Sequence, residues 1–469
     1  MKKILNATLI FALLLSSCSS APTPTSEPIT QLSSKPNIIL ILSDDQRADD
    51  LASMTNLATL ITESTKFSNA YVTTPLCCPS RSSILSGEYA HNHGVLGNTS
   101  PYGFEAFRDS ETIATWLQDA GYKTALIGKY LNGYAETKGE YIPPGWDTFQ
   151  AFVQGPNYFK YSIENFIDGI DKGLLRYGRE EEDYSTGILT QNAIDFLENT
   201  EANDEQPFFL YFTPYAPHEP ATPSEKYKNM AANIDPTSFP SYNEEDLSDK
   251  SEWLQDLPLI SQEDQEKLEN YGSLTAGALK DLDDGIGKII ETLKSKNELE
   301  NTVIIYMADN GLQWGEHRIV LTKNTPYEES IHVPMVIYDG RAPTGQALDE
   351  FALNIDISPT LLDFAGLTIP DSVDGQSLTQ LINGEKDDWR TSFLTEAWGN
   401  KREGETFTGI HQGQWSYFDF GSGQIELYDL QADPYQLNNL AKDKKYADEL
   451  KTLQDELTRL KDCKGKECK

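Results

Sequence analysis

Positive charge is scarce in this sequence: 38 lysines and arginines stand against 73 aspartates and glutamates, a formal net of −35 over 469 residues. So little basic surface excludes nucleic acid as a partner, because phosphate contacts need one. The same field opposes a long, densely anionic polymer lying across the surface. An anionic ligand must therefore be met by a local cluster of cations, metal included, while the excess acid elsewhere serves solubility. Cysteine is sparse too, five in all, beside six histidines, and the His/Cys sets that zinc prefers are missing. There is no internal repeat, and 32 glycines, 24 prolines and 10% aromatics describe neither a repeat array nor a disordered chain. What remains is a globular chain able to bury a substantial core, with one large domain and a smaller one.

Lys2 and Lys3 precede a mostly apolar stretch, residues 4–15, too short to span a bilayer comfortably, which reads as an export signal. It ends in Leu15-Ser16-Ser17-Cys18, which resembles the bacterial lipobox, whose cysteine is acylated and becomes residue one; a plain signal peptide with an incidental cysteine is the alternative. Residues 1–17 are expected to be a lipoprotein signal peptide and residues 18–34, rich in Ser, Thr and Pro, a tether. The protein is then exported and lipid-anchored to the bacterial cell envelope or cell surface, touching membrane only through that anchor. Export permits disulfides, so Cys463 and Cys468, close in sequence, are expected to pair rather than remain free thiols on a frayed tail. Cys18 being assigned to lipid, the adjacent pair Cys77-Cys78 needs another explanation.

Apolar runs rich in β-branched residues at 37–42, 124–127, 208–212, 303–307 and 333–338 read as buried strands. Helical stretches at 110–120, 186–198 and about 261–295 alternate with them. This predicts an α/β fold with a large, mainly parallel sheet flanked by helices, and such sheets place ligands beyond the carboxyl ends of their strands. After about residue 370 the texture changes to short strands at 415–420 and 424–430 and a helix at about 444–460, a small antiparallel α+β subdomain. The expected division is residues 35–370 and 371–469. The acidic segment 231–258 reads as a long surface excursion.

Two predicted strands end in carboxylates: Ser43-Asp44-Asp45 and Ala308-Asp309-Asn310-Gly311. Each pair alone fits a helix cap or a turn. Both at the ends of buried strands concentrate negative charge that only a cation relieves, and oxygen donors of this kind suit Ca²⁺ or Mg²⁺.

The segment Cys77-Cys78-Pro79-Ser80-Arg81-Ser82-Ser83-Ile84-Leu85-Ser86-Gly87 resembles the sulfatase signature, Cys-x-Pro-Ser-Arg followed by a helical turn and Leu-(Thr/Ser)-Gly. A vicinal disulfide or two packed thiols are the alternatives for the pair. The resemblance implies the alkaline-phosphatase-like fold and a dedicated maturase that oxidises Cys77 to formylglycine, whose hydrated aldehyde is the nucleophile. A geminal diol on a divalent cation has a lowered pKa and attacks as an alkoxide. Its second hydroxyl then expels the covalent sulfate by collapse to the aldehyde, an exit that a serine ester lacks.

The resemblance further implies one Ca²⁺ per chain held by Asp44, Asp45, Asp309, Asn310 and oxidised Cys77. Arg81 matches the arginine that supports the formylglycine, and Lys129 and Lys323 match the lysines that bind sulfate. His218 matches the histidine that protonates the leaving alcohol. His317, in Gly315-Glu316-His317-Arg318, matches a family stretch as a substrate residue or as one that orients its loop. His91, His93, His332 and His411 read as structural or subsite residues. One departure stands out: many sulfatases carry a second histidine two positions after the residue matching Lys129, and here Tyr130 is followed by Leu131 and Asn132. Gly128-Lys129-Tyr130-Leu131-Asn132, His91-Asn92-His93 and Pro144-Gly145-Trp146 instead resemble the N-acetylglucosamine-6-sulfatase subgroup. That implies exo-type removal of a 6-O-sulfate from a sulfated glycan. A formylglycine-dependent phosphonate monoester or phosphodiester hydrolase, and an inactive glycan-binding surface lipoprotein, are the rival readings.

Overall fold

The structure, a computed structural model, describes residues 35–135, 141–153, 155–201, 206–399, 406–421 and 423–469. The expected signal peptide, the tether and Cys18 lie outside the described residues.

The strands that organise the molecule are β1 (Asn37–Ser43), β2 (Thr65–Phe67), β3 (Lys123–Gly128), β4 (Thr148–Val153), β5 (Phe208–Thr213), β6 (Thr302–Ala308), β7 (Met335–Asp339) and β8 (Gln346–Leu348). They lie side by side in the order β8-β2-β7-β6-β1-β5-β3-β4. The central strands β6, β1, β5, β3 and β4 run parallel, while β7 is antiparallel to β6. Strand β1 shows why the sheet sits in the middle. Ile38, Leu40 and Leu42 face one apolar core and Ile39 and Ile41 the other, all buried, as a two-sided strand requires. Each such side chain contributes about 1.5–3 kcal/mol on burial.

Helices cover both faces. On one side pack α1 (Cys77–Ser86), α2 (Ile113–Asp119) and, later in the chain, the Ile357–Phe364 helix, through Ile84, Leu117 and Leu361. On the other lie α3 (Ser185–Thr200) and α4 (Gln262–Lys296), through Leu189, Leu282 and Ile286. Helix α4 starts where the Ser261 hydroxyl accepts from Asp264 N at 3.1 Å and stops at Asn297 in the left-handed region. Its first turn carries Glu263 and Asp264 and its last turn Lys294 and Lys296, matching the helix dipole.

A second sheet, β9 (Ser392–Ala397), β10 (Phe407–Gln412), β11 (Trp415–Asp419) and β12 (Ile425–Asp429), is wholly antiparallel. Phe393, Ile410, Tyr417 and Leu427 from it share the core of the large sheet. Strands β4, β9 and β10 were not expected from the sequence; β10 carries Gly409 and His411 inside a short run, which masks its alternation. The segment 231–258 is a mostly irregular stretch with many exposed residues, as expected, but it is docked rather than free. Ile234, Leu247 and Leu254 are buried, and Lys250 Nζ and Ser251 N donate to the Leu437 carbonyl and to Glu426 in the second sheet region. Its apolar residues are too few for periodicity but enough to dock it.

Candidate active site

The carboxyl ends of four neighbouring parallel strands converge. Strand β1 delivers Asp44 and Asp45, and β6, in register with it from Asn37↔Thr302 to Ser43↔Ala308, delivers Asp309 and Asn310. Strand β3 delivers Lys129, and the loop after β5 delivers His218. Gly128 makes the β3 exit possible: its φ is 127°, and a Cβ there would stand 2.1 Å from the Thr213 carbonyl oxygen. Lys129 N donates to that same oxygen at 2.7 Å, which turns its side chain toward β1. Asp45 adopts φ 61°, a left-handed conformation that aspartate tolerates, and its N–H donates to Asp309 Oδ1 at 3.1 Å. Cys77 opens α1, and Lys323 follows the short Val320–Thr322 strand.

The Cys77 Sγ lies 3.7 Å from Asp44 Oδ1, 3.9 Å from Asp45 Oδ1 and 2.9 Å from Lys323 Nζ. Ligand atoms of Asp44, Asp45, Cys77 and His218 all fall within 4.8 Å of one another. Lys129 Nζ donates to Asp44 Oδ2 at 2.6 Å, and Lys323 Nζ to Asp45. Arg81, fully buried one turn into α1, donates from Nε to Asp309 Oδ2 at 2.7 Å and from a terminal nitrogen to the Lys129 carbonyl at 2.9 Å. His218 Nε2 sits 3.4 Å from Asp45 Oδ2, and its Nδ1 donates to the Glu219 carbonyl at 2.8 Å. Asn310 donates from Nδ2 to Asp45 Oδ1 at 2.7 Å, whereas its Oδ1 is buried and has no hydrogen-bond partner among the described residues.

The electrostatics follow from these distances. Burial lifts the Asp44 carboxyl, but Lys129 and Arg81 outweigh it and hold the group below the usual carboxylate range. Burial likewise opposes ionisation of Asp45, where Lys323 and His218 prevail. Burial disfavours the charged ammonium of Lys129 and Lys323, yet Asp44 and Asp45 respectively keep both protonated beyond their ordinary range. The Cys77 thiol is pushed up to about 12 by burial, against the pull of Lys129 and Lys323. The donor set fits a hard divalent cation: three carboxylates and an amide oxygen, the last otherwise unsatisfied.

Cys77, Arg81, Lys129, His218, Lys323, Asp44, Asp45, Asp309 and Asn310 thus form one site. His317 makes none of these contacts among the described residues. It is wholly buried, its Nδ1 is 2.6 Å from Glu244, its ring packs on Tyr327 at 4.2 Å, and Nε2 is without a partner. Cys78 points away, with Sγ 3.9 Å from the Asn132 carbonyl. Two residues had no signal in the sequence. Tyr215 stacks on His218 at 4.6 Å and lies 5.9 Å from Lys129 Nζ, spanning the two. Asn98 Oδ1 accepts from Cys78 N at 2.9 Å, capping a helix whose own N-cap, Leu76, has no acceptor. Asn98 and Lys129 also share the wall of a cavity of ≈ 510 Å³, with Phe104, Asn132, Tyr134 and Phe152. Cys463 and Cys468 are joined, S–S 2.08 Å.

The family model described as Sulfatase matches residues 36–367, and that of the N-sulphoglucosamine sulphohydrolase C-terminal region matches residues 315–463. N-acetylglucosamine-6-sulfatase of Capra hircus is 30% identical over 460 residues, covering 87% of this chain and 80% of the relative. Extracellular sulfatase SULF-1 homologs of Drosophila melanogaster and Caenorhabditis elegans are 32% and 34% identical over 79% and 77% of this chain, which spans 34% and 52% of their length. Among solved structures, BT4656 in complex with its substrate D-glucosamine-2-N,6-O-disulfate superposes with TM-score 0.73 at 25% identity, covering 91% of this chain and 97% of the other. The phosphonate monoester hydrolase of Agrobacterium radiobacter shares the fold, TM-score 0.71 at 23% identity, over 90% and 95% of the two chains.

Proposed function

This chain belongs to the sulfatase family, and on that premise we propose that it removes the 6-O-sulfate of an N-acetylglucosamine-type sugar at the end of a sulfated glycan. The observation that carries the reading is the meeting of Cys77 with Asp44, Asp45, Asp309, Asn310, Lys129, Lys323, Arg81 and His218 at one sheet edge. The N-acetylglucosamine-6-sulfatase relatives support the sugar and the position.

The Cys77 Sγ stands in for the oxygen of a formylglycine, the modification that would supply a hydrated aldehyde here. Asp44, Asp45, Asp309, Asn310 and that residue would hold one Ca²⁺, which supplies Lewis-acid polarisation of the attacking oxygen. Three carboxylates balance Lys129, Lys323 and Arg81, so a dication leaves the positive excess that an anionic ester needs in an acidic protein. Lys129 and Lys323 orient the sulfate. Arg81 neutralises Asp309 and, through the Lys129 carbonyl, fixes the lysine backbone. With Nδ1–H committed to the Glu219 carbonyl, His218 bears a proton on Nε2 only as imidazolium. Giving that proton to the leaving alkoxide returns it to the neutral Nδ1–H form. Where many family members carry the second histidine, this chain has Leu131 and Asn132, and Tyr215 and Asn132 are among the polar neighbours on the Lys129 side.

The relatives include extracellular sulfatases, and among the described residues no helix is long and apolar enough to cross a membrane. Export with a lipid on Cys18 accords with Lys2, Lys3 and the Leu15-Ser16-Ser17-Cys18 stretch; Cys18→Ser should move the protein from the membrane fraction to the medium or periplasm.

Purified enzyme, with the aldehyde at residue 77 verified by mass spectrometry, is expected to release sulfate from N-acetylglucosamine-6-sulfate. Release from other sulfated sugars but not from this one would reject the specificity. The fold shared with a phosphonate monoester hydrolase makes a second comparison necessary. On one aryl leaving group, the sulfate ester should turn over faster than the phosphonate or phosphodiester.

A further inference from the structure

Helix α1, which presents Cys77, is held at its far end by the chain's own C-terminus. Gly87 closes the helix at φ 75°, where a Cβ would stand 2.9 Å from Val373. The Gly87 carbonyl accepts from Asp374 N and Gly375 N at 2.9 and 3.1 Å. Asp374 is 1% exposed, and its carboxylate accepts from Tyr89 N at 2.7 Å, Asn92 Nδ2 at 2.9 Å and Gly465 N at 2.6 Å. Gly465 lies within the loop closed by the Cys463–Cys468 disulfide. The Cys463 carbonyl in turn accepts from His91 Nε2 at 3.0 Å and Asn92 Nδ2 at 2.9 Å. His91 Nδ1 is 3.0 Å from both oxygens of Glu396. Both ring nitrogens thus face acceptors, which makes His91 an imidazolium and the contact a charged one.

The hydrogen bonds of the Cys463 carbonyl to His91 and Asn92 and of Gly465 N to Asp374 seat the disulfide loop against the residues immediately following α1, while Lys466 and Glu467 tie it to Asp371 and Arg459 on its outer side. We infer that the Cys463–Cys468 loop is a clip that positions the nucleophile helix, so that full turnover requires the disulfide. The inference rests on Cys77 being the precursor of the nucleophile. Its physical basis is that α1 is ten residues long, buried throughout, and has Cys77 at one end and the clip at the other. A rigid helix transmits displacement along its axis, and about 1 Å of misplacement at a reacting atom costs on the order of 10²-fold in rate. The enzyme then reaches full competence only in a compartment where disulfides form, which for an exported protein lies beyond the cytoplasmic membrane.

The test uses the mature enzyme and a water-soluble phosphine, which takes up the oxygen of one water to become its oxide while the disulfide becomes two thiols. At a temperature where the far-UV circular dichroism is unchanged, kcat is expected to fall about tenfold with KM within about twofold. Amide exchange at Gly87 and Tyr89 should accelerate, and the aldehyde at residue 77 should stay intact by mass spectrometry. The double variant Cys463→Ser/Cys468→Ser should show the lowered kcat before phosphine and no further change after it. Unchanged kcat and unchanged exchange in reduced enzyme would overturn the inference, as would an equal phosphine effect on the double variant. An enzyme with no sulfatase turnover before reduction would instead reject the reading of Cys77, while the exchange measurement would still report on the clip.

Discussion

At His218 the two ring nitrogens face different partners, and the proposed general-acid role rests on that asymmetry. His218→Ala is expected to lower kcat about 10²- to 10⁴-fold on a sugar sulfate, whose alcohol needs a proton to leave. On an aryl sulfate with an acidic leaving group the loss should be far smaller. Equal losses on both would remove the general-acid role. Asn310 offers a second test at this scale, because its Oδ1 is buried with no partner. Asn310→Ala should weaken Ca²⁺ binding roughly 10- to 100-fold, measured by calorimetry on chelated, refilled protein, whereas Asn310→Asp should retain it. His317 shows the limit of residue-level reading. Its motif matched, but the structure gives it to Tyr327 and to Glu244, the latter far from it in sequence.

Elements carry the next set of consequences, and the turn after α1 is the clearest. His93 is buried, accepts from Val95 N on Nδ1 at 3.1 Å and is 3.0 Å from Ser83 Oγ through Nε2, so it is neutral. Burial, with His91 nearby, depresses it to about 3. His91 goes the other way: burial works against its charge, but the Glu396 hydrogen bond lifts it to about 9. The signs follow by linkage. The depressed His93 costs stability as pH falls below its unfolded value near 6.5, where only the unfolded chain takes the proton. The raised His91 contributes fully below that same value and loses its contribution as pH climbs through about 9. Denaturant unfolding should therefore show stability falling on both sides of about pH 6.5 from this turn. His91→Gln should flatten the alkaline arm alone. A variant whose alkaline arm matches wild type would exclude the His91–Glu396 pair as its origin.

For the whole molecule the governing quantity is charge. A net of −35 surrounds a pocket built from two lysines and an arginine, so a sulfated substrate crosses a repulsive field before meeting an attractive one. Raising ionic strength from about 0.01 M to about 0.15 M shortens the screening length from roughly 30 to 8 Å. The long-range repulsion fades while the buried contacts persist. kcat/KM for a monosulfated sugar should rise with salt, and a steady fall would mean that local attraction steers the encounter instead. Much of this protein was legible in its residues. Two-sided apolar runs announced β1, β3, β5, β6 and β7, a helical stretch at about 261–295 announced α4, and the Cys77 to Gly87 stretch with the two aspartate-bearing strand ends named six of the nine side chains that meet at the sheet edge, Lys129, His218 and Lys323 coming only from the family resemblance. These signals are local or periodic, and a strand or a motif carries its own pattern. What only the tertiary structure decided has no such pattern: the stacking of Tyr215 on His218, the Asn98 cap on a helix twenty residues before it, the docking of 231–258, and the seating of the C-terminal loop on Asp374. The Tyr215 stack is set by a turn in which His218 N donates to the Tyr215 carbonyl at 3.0 Å, a geometry that no pattern of residue types announces; the others join residues far apart in the chain through hydrogen bonds, and the free energy of such a contact exists only once the sheet has brought its two halves together.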